Sequence, residues 1–421
     1  MLGQRLRLQK PNIYIAPNGL SVLRDLDEGI FAQVANSGYP VSHFELKSAH
    51  GWSLARIGAT NGRDPELHTV LIGRHRLWEC LRRHVPDDAI LDRKAVVGIG
   101  YTEDQKPVVE FADGSPGLEA DLVIGADGAK SAVKRYVTGN GTVDNHPAIF
   151  DGLVGVGGFI SSSYLSDEEP HGRMTVTFGS HGFFGYAPST TTAPTQLPHS
   201  AERIVPKGDE AVWWSTYECK DLPDTRNFNQ VDIRRQLQKR HAGWKDPVIR
   251  KIVDEAAVES IYPTWIMPDL PTWHARGVVL IGDAAHAMQP SSGQGASQGL
   301  EDAQILSMLL AHCLEKYHSQ SAPHAGGQMP AAMREAVEQA SKEYFETRKP
   351  RVKQITDRAK QMGDMKRKKG VVEEWFTYLI LWIIGKLPVD SYTRQIFNDL
   401  PVHEARKMIE KDKTPVAIHR S

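Results

Sequence analysis

The segment that decides the fold is "GVVLIGDAAHAMQPSSGQGASQGLEDA", residues 277–303. It begins with a continuous apolar run that ends at Gly282-Asp283, which is typical of a buried strand. A Gly-Gln-Gly sequence follows at 293–295, and apolar residues then recur at helical spacing. The segment therefore predicts a strand, a loop and a long helix, with a ligand site at the carboxyl end of the strand.

This strand–loop–helix unit has the parts of a site for a flat ligand that carries a diol. The carboxylate of Asp283 can accept hydrogen bonds from a ribose or ribityl chain. Gly293 and Gly295 leave room for a ring to approach backbone N–H groups at the helix start, where Ser291 or Ser292 is expected as N-cap. Such a terminus stabilises negative charge by ~0.3–1 kcal/mol, and a reduced isoalloxazine ring carries negative charge near N1. The combination favours a flavin site over a nicotinamide site.

The alternative is a glycine-rich turn that only lets the chain pass from strand to helix. A lone GxG pattern carries little information. Here an Asp, a Pro and the two glycines coincide within one unit, which disfavours that alternative.

Two earlier stretches have a related organisation. "DLVIGADGAKSAVKR", residues 121–135, is a strand that ends at Gly-Ala-Asp-Gly and leads into a helix. It is not a P-loop, because Ala129 stands where GxxxxGK[ST] requires a glycine before Lys130. "VLIGRHRLWECL", residues 70–81, places Arg74 between a strand and a helix.

In this order, the three motifs resemble those of the class A flavoprotein monooxygenases, the FAD-dependent aromatic hydroxylases. The resemblance runs from about residue 11 to residue 360. It implies that Asp283 binds the ribityl chain, that Asp127 helps at the pyrophosphate and that Arg74 contacts the cofactor. The full set of implied FAD contacts is Arg74, Asp127, Gly282, Asp283, Pro290, Gly293, Gly295 and Ala296. Tyr186, in "GFFGYAP", is the candidate catalytic base, and a packed strand tyrosine is the alternative interpretation.

The resemblance also implies an activity. NADPH or NADH reduces FAD, and the reduced flavin takes up O2 to give a C4a-hydroperoxide that hydroxylates an aromatic or polyketide-like small molecule. Two alternatives stay open. One is another flavin oxidoreductase on the same scaffold, such as an epoxidase or a reductase. The other is a truncated, catalytically inactive flavoprotein homologue.

The family pattern is broken at its beginning. Class A enzymes open with a strand, a GxGxxG turn and a helix, whereas the only glycines before Gly29 are Gly3 and Gly19. "KPNIYIAPNGLSVL", residues 10–23, already resembles the family segment that comes directly after that unit. We expect either a truncated sequence or a natural loss that weakens FAD affinity, and a sheet whose strands lose a buried neighbour.

The fold class expected is α/β with additional α+β elements. An incomplete Rossmann-like FAD-binding domain would comprise residues 1–37, 68–150 and 263–320. A mainly β substrate domain, residues 38–67 and 151–262, would be inserted into it. Residues 328–421 would form a C-terminal helical region. Helices are expected over 18–34 and from about 331, the latter broken or kinked at Pro350.

Composition adds limits of its own. The chain has 421 residues, 24% of them charged, and a formal net charge of -1, which gives no basis for a nucleic-acid partner. Cys80, Cys219 and Cys313 lie far apart and show no CxxC spacing, so we expect no metal site, no disulfide framework and a reducing, cytoplasmic location. The oligomeric state is left open.

The C-terminal stretch "KRKKGVVEEWFTYLILWIIGKLP", residues 366–388, combines a basic cluster with an apolar, aromatic segment. It is too short for the ~20 residues of a membrane-spanning helix. The expectation is a helix that docks on the catalytic body or at a dimer interface, and peripheral contact with a membrane surface is the alternative.

Overall fold

A computed structural model gives the chain as a mixed fold of strands and helices, and it describes residues 12–61, 64–166, 172–190, 207–225, 227–320, 331–387, 396–397 and 400–413. The strands are β1 Asn12–Ile15, β2 Tyr39–Val41, β3 His43–Ser48, β4 Ser53–Gly58, β5 Thr60–Asn61, β6 Asp64–Gly73, β7 Val96–Tyr101, β8 Pro107–Phe111, β9 Leu118–Glu119, β10 Val123–Gly125, β11 Ile149–Ser161, β12 Arg173–Gly179, β13 Gly182–Pro188, β14 Glu210–Glu218, β15 Ser260–Ile266, β16 His274–Ala275 and β17 Val278–Leu280. The α-helices are α1 Pro17–Leu26, α2 Glu28–Ser37, α3 Arg74–Arg82, α4 Lys134–Val137, α5 Gln230–His241, α6 Pro247–Glu255, α7 Asp283–His286, α8 Gly295–Gln320, α9 Ala331–Asp364, α10 Val371–Ile384 and α11 Pro401–Lys413.

Seven strands form the largest sheet, in the order β15–β11–β14–β13–β12–β3–β4. The neighbours β12 and β3 are parallel, and the other neighbouring pairs are antiparallel. Residues 43–58 and 149–266 therefore contribute strands to one sheet. The division into a substrate domain and an FAD-binding domain stays a prediction.

The two faces of the seven-stranded sheet have different partners, because side chains alternate across a strand. Helices α5 and α6 cover one face, which we call the helix-covered face. Its buried side chains include Phe184, Tyr186 and Trp213. Positions in between point to the opposite side, which we call the front face and which packs towards β2 and β6. The front face is formed by Phe44, Met174, Val176, Val212 and Trp214.

Two smaller sheets surround the predicted ligand site. Strand β6 lies between β1 and β2 in one of them, and β17 lies between β10 and β16 in the other. β10 and β17 are parallel, with Gly125 opposite Leu280. Among the described strands β10 has β17 as its one neighbour, and Ile124 in β10 is 47% exposed. Strands of a parallel sheet are usually covered on both faces. The exposure of Ile124 therefore shows that β10, at the edge of its sheet, is less covered than is usual for a parallel strand.

Two helix predictions need correction. The helix expected over 18–34 is two helices, because Asp27 is extended and its side chain accepts a hydrogen bond from the Ile30 N–H, 2.8 Å, as the N-cap of α2. A helix break at Pro350 is wrong, since α9 continues from Ala331 to Asp364 with Pro350 inside it, whereas a kink at this position stays a prediction. Buried contacts of Arg348 in the same turn hold the helix in place there.

Candidate flavin-binding site

The Gly-Asp turn follows β17 directly. Gly282 has φ +57°, in the left-handed region that favours glycine, and Asp283 begins the short helix α7. The side chain of Asp283 is exposed, and no described residue forms a hydrogen bond or an ion pair with its carboxylate. Its oxygens are therefore available to a diol.

A cluster of buried charged side chains lies next to this turn and hydrogen bonds to it. The guanidinium of Arg348 lies 2.6 Å from a Glu301 carboxylate oxygen and 2.8 Å from Asp302 Oδ1, and all three side chains are almost fully buried. The other oxygen of Asp302 accepts hydrogen bonds from the Gly282 N–H, 2.8 Å, and from His286 Nε2, 2.6 Å. One carboxylate thus ties the turn to helices α8 and α9.

The basic residues of this cluster stabilise the ionised forms of its two carboxylates. Burial by itself would raise the pKa of Asp302, but the His286 ring and the Arg348 guanidinium outweigh it and hold that pKa below its ordinary value. The pKa of Glu301 is lowered in the same way, against burial, by Arg348 and Arg351. Removing one partner of a buried pair typically costs about 3–5 kcal/mol, because a charge is left uncompensated.

The start of α1 is joined to the same cluster. The amide of Asn18 donates hydrogen bonds to Gln294 Oε1, 2.9 Å, and to Glu301 Oε1, 2.7 Å. Gly19 packs so closely on Ser297 that an added Cβ would lie 2.7 Å from its hydroxyl oxygen. These contacts fix the beginning of α8, where the flavin ring is expected.

The glycines of the loop have two different surroundings. Gly293 has φ +63°, and a Cβ there would lie 2.7 Å from the Tyr14 ring. A Cβ at Gly295 would meet no atom within 4 Å, so the backbone at the start of α8 is open. The N-cap prediction was wrong, because α8 begins at Gly295 and both serines lie in the 3-10 turn Pro290–Ser292. The Ser292 hydroxyl accepts a hydrogen bond from the Gln294 N–H instead, 3.3 Å.

The remaining predicted contacts lie at the edges of this arrangement. Asp127 follows β10 and Asp283 follows β17, so both lie at the carboxyl ends of neighbouring parallel strands. Asp127 Oδ2 accepts hydrogen bonds from the N–H groups of Ala132, 2.7 Å, and Val133, 3.3 Å. Arg74 is the exposed first residue of α3, after a strand of the other sheet. Pro290 and Ala296 belong to the same loop and helix start as the glycines.

FAD fits these residues best over its ribityl and ring half. An exposed carboxylate with no partner among the described residues, an open glycine backbone and the start of the long helix α8 lie in one strand–loop–helix unit. The carboxylate matches the hydroxyls of the ribityl chain, the open backbone matches the flat ring, and the helix start matches the negative charge on the reduced ring. For the pyrophosphate half, the exposed guanidinium of Arg74 has the matching charge, whereas Asp127 is an anion with one oxygen already hydrogen-bonded, and its role there stays a prediction.

An apolar surface adjoins the loop. Tyr14, which packs on Gly293, lies 5.8 Å from the Phe44 ring of the front face, centroid to centroid. The Trp214 ring packs directly on the backbone of Gly185, and Tyr262 packs on that of Gly155, so neither glycine has room for a side chain. The front face is therefore aromatic and smooth, a suitable wall for a flat substrate.

Tyr186 lies on the helix-covered face, not on the front face. It is 1% exposed, and its hydroxyl donates a hydrogen bond to Asp246 Oδ2, 3.1 Å. The other oxygen of Asp246 caps α6 through the Val248 N–H, 2.9 Å. This geometry favours a packing role, and the role of catalytic base stays a prediction.

Lys366 is a buried lysine that sequence reasoning missed. Its Nζ lies 4.0 Å from the centroid of the Phe183 ring, in the apolar cluster that also contains Trp214. Burial lowers the pKa of Lys366 to about 7, and no acidic partner is found for it in the described part of the chain. It brings a titratable amine close to the front face.

Comparison with known proteins shows that the region of the candidate site matches an FAD binding family. Residues 270–359 match the FAD binding domain family, and the matched region contains the Gly-Asp turn, Asp302 and Arg348. The chain is 27% identical over 298 residues to the FAD-dependent monooxygenase eupB of Phoma sp, covering 69% of this chain and 63% of that protein. It is 30% identical over 245 residues to a salicylate hydroxylase of Pseudomonas putida, covering 57% and 53%. The chain thus spans somewhat over half the length of these relatives.

Solved structures show the same fold. A salicylate hydroxylase substrate complex superposes with a TM-score of 0.70 at 21% identity, covering 94% of this chain and 89% of that one. Klebsiella pneumoniae HpxO, complexed with FAD and uric acid, gives 0.68 at 19% identity, covering 94% and 88%. The predicted fold class and the resemblance to the class A flavoprotein monooxygenases are confirmed, as is FAD as the cofactor that the matched family binds. NAD(P)H stays a prediction.

A Gly295→Ala variant tests the open backbone. Because nothing lies within 4 Å of the new Cβ, the free energy of unfolding without FAD should change by less than about 1 kcal/mol. The dissociation constant for FAD, measured by fluorescence titration, should rise by about tenfold or more, since the methyl group takes the space of the ring. Gly243→Ala, also in open space, is the control. An unchanged FAD affinity in Gly295→Ala would place the ring elsewhere.

A Lys366→Met variant tests the buried amine. The pKa of Lys366 is about 7 in the folded chain and 10.5 in the unfolded chain. Below pH 7 the amine is charged in both states, and burying that charge destabilises the fold by its full amount. This destabilisation decreases as the pH rises from 7 towards 10.5. At pH 7 the free energy of unfolding of the variant should be roughly 1–4 kcal/mol higher than that of the unchanged chain. Between about pH 7 and 10 its free energy of unfolding should rise less than that of the unchanged chain. Urea unfolding at several pH values measures both, with exposed Lys368→Met as control. An unaltered pH dependence contradicts the assignment.

Proposed function

We propose that the chain is an FAD-dependent monooxygenase that uses NADPH or NADH and O2 to hydroxylate an aromatic or polyketide-like small molecule. The observation that carries the proposal is the free carboxylate of Asp283, on a turn fixed by Asp302 and next to the open backbone of Gly295. The relatives named as FAD-dependent monooxygenase and salicylate hydroxylase support the same reaction class.

Bound FAD, once reduced, supplies the chemistry that activates O2. The task of this chain's residues is to bind and orient. Asp283 would accept hydrogen bonds from the ribityl hydroxyls, and backbone N–H groups of Gly295 and Ala296 would stabilise negative charge on the ring. The aromatic front face would hold a flat substrate against the loop and exclude water from it. Tyr186 is left out of this scheme because its hydroxyl is bonded on the other side of the sheet.

A second candidate is a flavoprotein homologue without catalytic activity. The open edge of β10, where Ile124 is exposed, favours it, because a parallel strand next to a nucleotide site is normally covered on both sides. Such a protein would bind flavin weakly and would not couple it to NAD(P)H oxidation.

Reconstitution with FAD separates these possibilities. After unbound FAD has been removed by gel filtration, the purified chain should retain absorption near ~450 nm, and phenolic acids such as salicylate should stimulate NADH or NADPH oxidation. Asp283→Ala should weaken FAD binding by about tenfold or more, because a charged hydrogen-bond acceptor contributes roughly 1.5–3 kcal/mol. Asp88→Ala, at an exposed acid distant in sequence, is the control.

Each outcome has a distinct meaning. Flavin binding with substrate-stimulated oxidation supports the monooxygenase. Flavin binding without oxidation by either nicotinamide across a panel of phenols indicates the inactive homologue. A chain that is colourless after excess FAD has been added and then removed contradicts both.

A further inference from the structure

Helix α10 exposes a continuous apolar surface. Of the large hydrophobic residues that are exposed, nine lie between residues 371 and 387. Trp375 is 48%, Phe376 61% and Leu379 51% exposed. The others are Val371, Val372, Ile380, Trp382, Ile383 and Leu387. Exposed apolar patches of this kind mark interaction surfaces, because a solvated helix face is normally charged.

The helix is firmly attached through its opposite side, so this exposure is a fixed feature of the fold. The Tyr378 hydroxyl oxygen lies 3.0 Å from the Phe178 carbonyl oxygen and accepts a hydrogen bond from the Ala49 N–H, 3.3 Å. Leu381 is buried in the same cluster, and Gly385 packs on Ala55. The outer surface therefore has a defined orientation relative to the seven-stranded sheet.

Aromatic side chains extend this surface beyond the helix. Trp52, in the β3–β4 turn, is 50% exposed, and its ring lies 5.4 Å from that of Trp375. His50 lies next to both rings. Tryptophan is favoured where an apolar phase meets water, because its ring is apolar and its N–H is polar.

Exposed lysines flank the apolar surface at both ends. Lys368 precedes the helix and Lys386 follows it, and both are exposed, with Lys386 Nζ 5.6 Å from the Trp382 ring. The two acids of the first turn, Glu373 and Glu374, lie close to Lys369, whose charge opposes theirs. Glu373 also accepts a hydrogen bond from the Gly370 N–H, and Glu374 accepts one from the Tyr378 hydroxyl. Residues 375–385 contain no charged side chain. An apolar stripe with lysines at its ends complements an anionic lipid surface.

We propose that α10, together with Trp52, docks the chain on the surface of an anionic phospholipid membrane. The helix would lie along the surface with its exposed apolar residues among the upper acyl chains and its flanking lysines at the headgroups. No helix in the described part of the chain combines the length and apolar character needed to cross a bilayer. Since Tyr378 and Leu381 share their cluster with Trp214, docking would bring the front face near the membrane. This inference does not depend on the proposed function.

Vesicle flotation with the full chain tests the inference. The chain should float with vesicles of phosphatidylcholine and phosphatidylserine at 7:3, and binding to phosphatidylcholine alone should be weaker. Trp375→Glu combined with Leu379→Glu should lower the partition coefficient by about tenfold or more. The matched control is Leu222→Glu with Val231→Glu, two exposed apolar residues elsewhere, which should float like the unchanged chain.

Three results would overturn the proposal. The first is equal flotation of the two double variants, and the second is no flotation of the unchanged chain. The third is a dimer in sedimentation velocity that Trp375→Glu/Leu379→Glu abolishes and the control keeps, because the surface would then be an interface between two copies. Circular dichroism of both variants confirms that a loss of flotation does not come from unfolding.

Discussion

The turn that carries Asp283 is attached to the interior through one carboxylate. Asp302 uses one oxygen for Arg348 and the other for the Gly282 N–H and His286. A buried charge without a partner is very unfavourable. Loss of the ion pair between Asp302 and Arg348 would therefore also disrupt the hydrogen bonds from Asp302 to the turn. Gly282 has a positive φ, which the surrounding structure has to stabilise. The hydrogen bond from its N–H to Asp302 does so and thereby fixes the orientation of the neighbouring Asp283 carboxylate.

The same cluster joins parts of the chain that are far apart in sequence. Glu301 binds Arg348 and Arg351 from α9 and Asn18 from α1, so three helices meet where α8 begins. A ligand site at this point would be supported by rigid elements on each side. This arrangement supports a loop rich in glycine from several directions and gives it a definite shape.

The sequence predicted the position of this site but not its supports. The apolar run, the Gly-Asp ending and the helical spacing after Gly295 are local signals, and they located β17, the turn and α8 correctly. The pairing of Arg348 with Asp302 joins residues 46 positions apart and leaves no periodic signal. An acidic pair, Glu301-Asp302, inside an otherwise apolar helix pattern was the one local hint. Asp27 and Pro350 show the reverse case, where capping and packing override the expected helix boundaries.

Tyr186 illustrates a limit of a different kind. Alternation along β13 tells which residues share a face, but only the position of α5 and α6 tells which face is covered. The structure puts Tyr186 with Asp246 under those helices and Trp214 on the front face. Aromatic residues in one sheet thus acquire different roles from the packing of distant elements.

Hydrogen exchange in an Arg348→Lys variant tests most directly whether the ion cluster holds the Gly-Asp turn. Lysine keeps the charge but cannot contact Glu301, Asp302 and Gln298 together. Protection should fall for residues 281–286 and the start of α8, while β11 to β14 stay protected. Arg351→Lys, which alters a contact to Glu301 but none to Asp302, should leave residues 281–286 protected. Unchanged protection of the turn in Arg348→Lys, or an equal loss throughout the chain, would contradict the account.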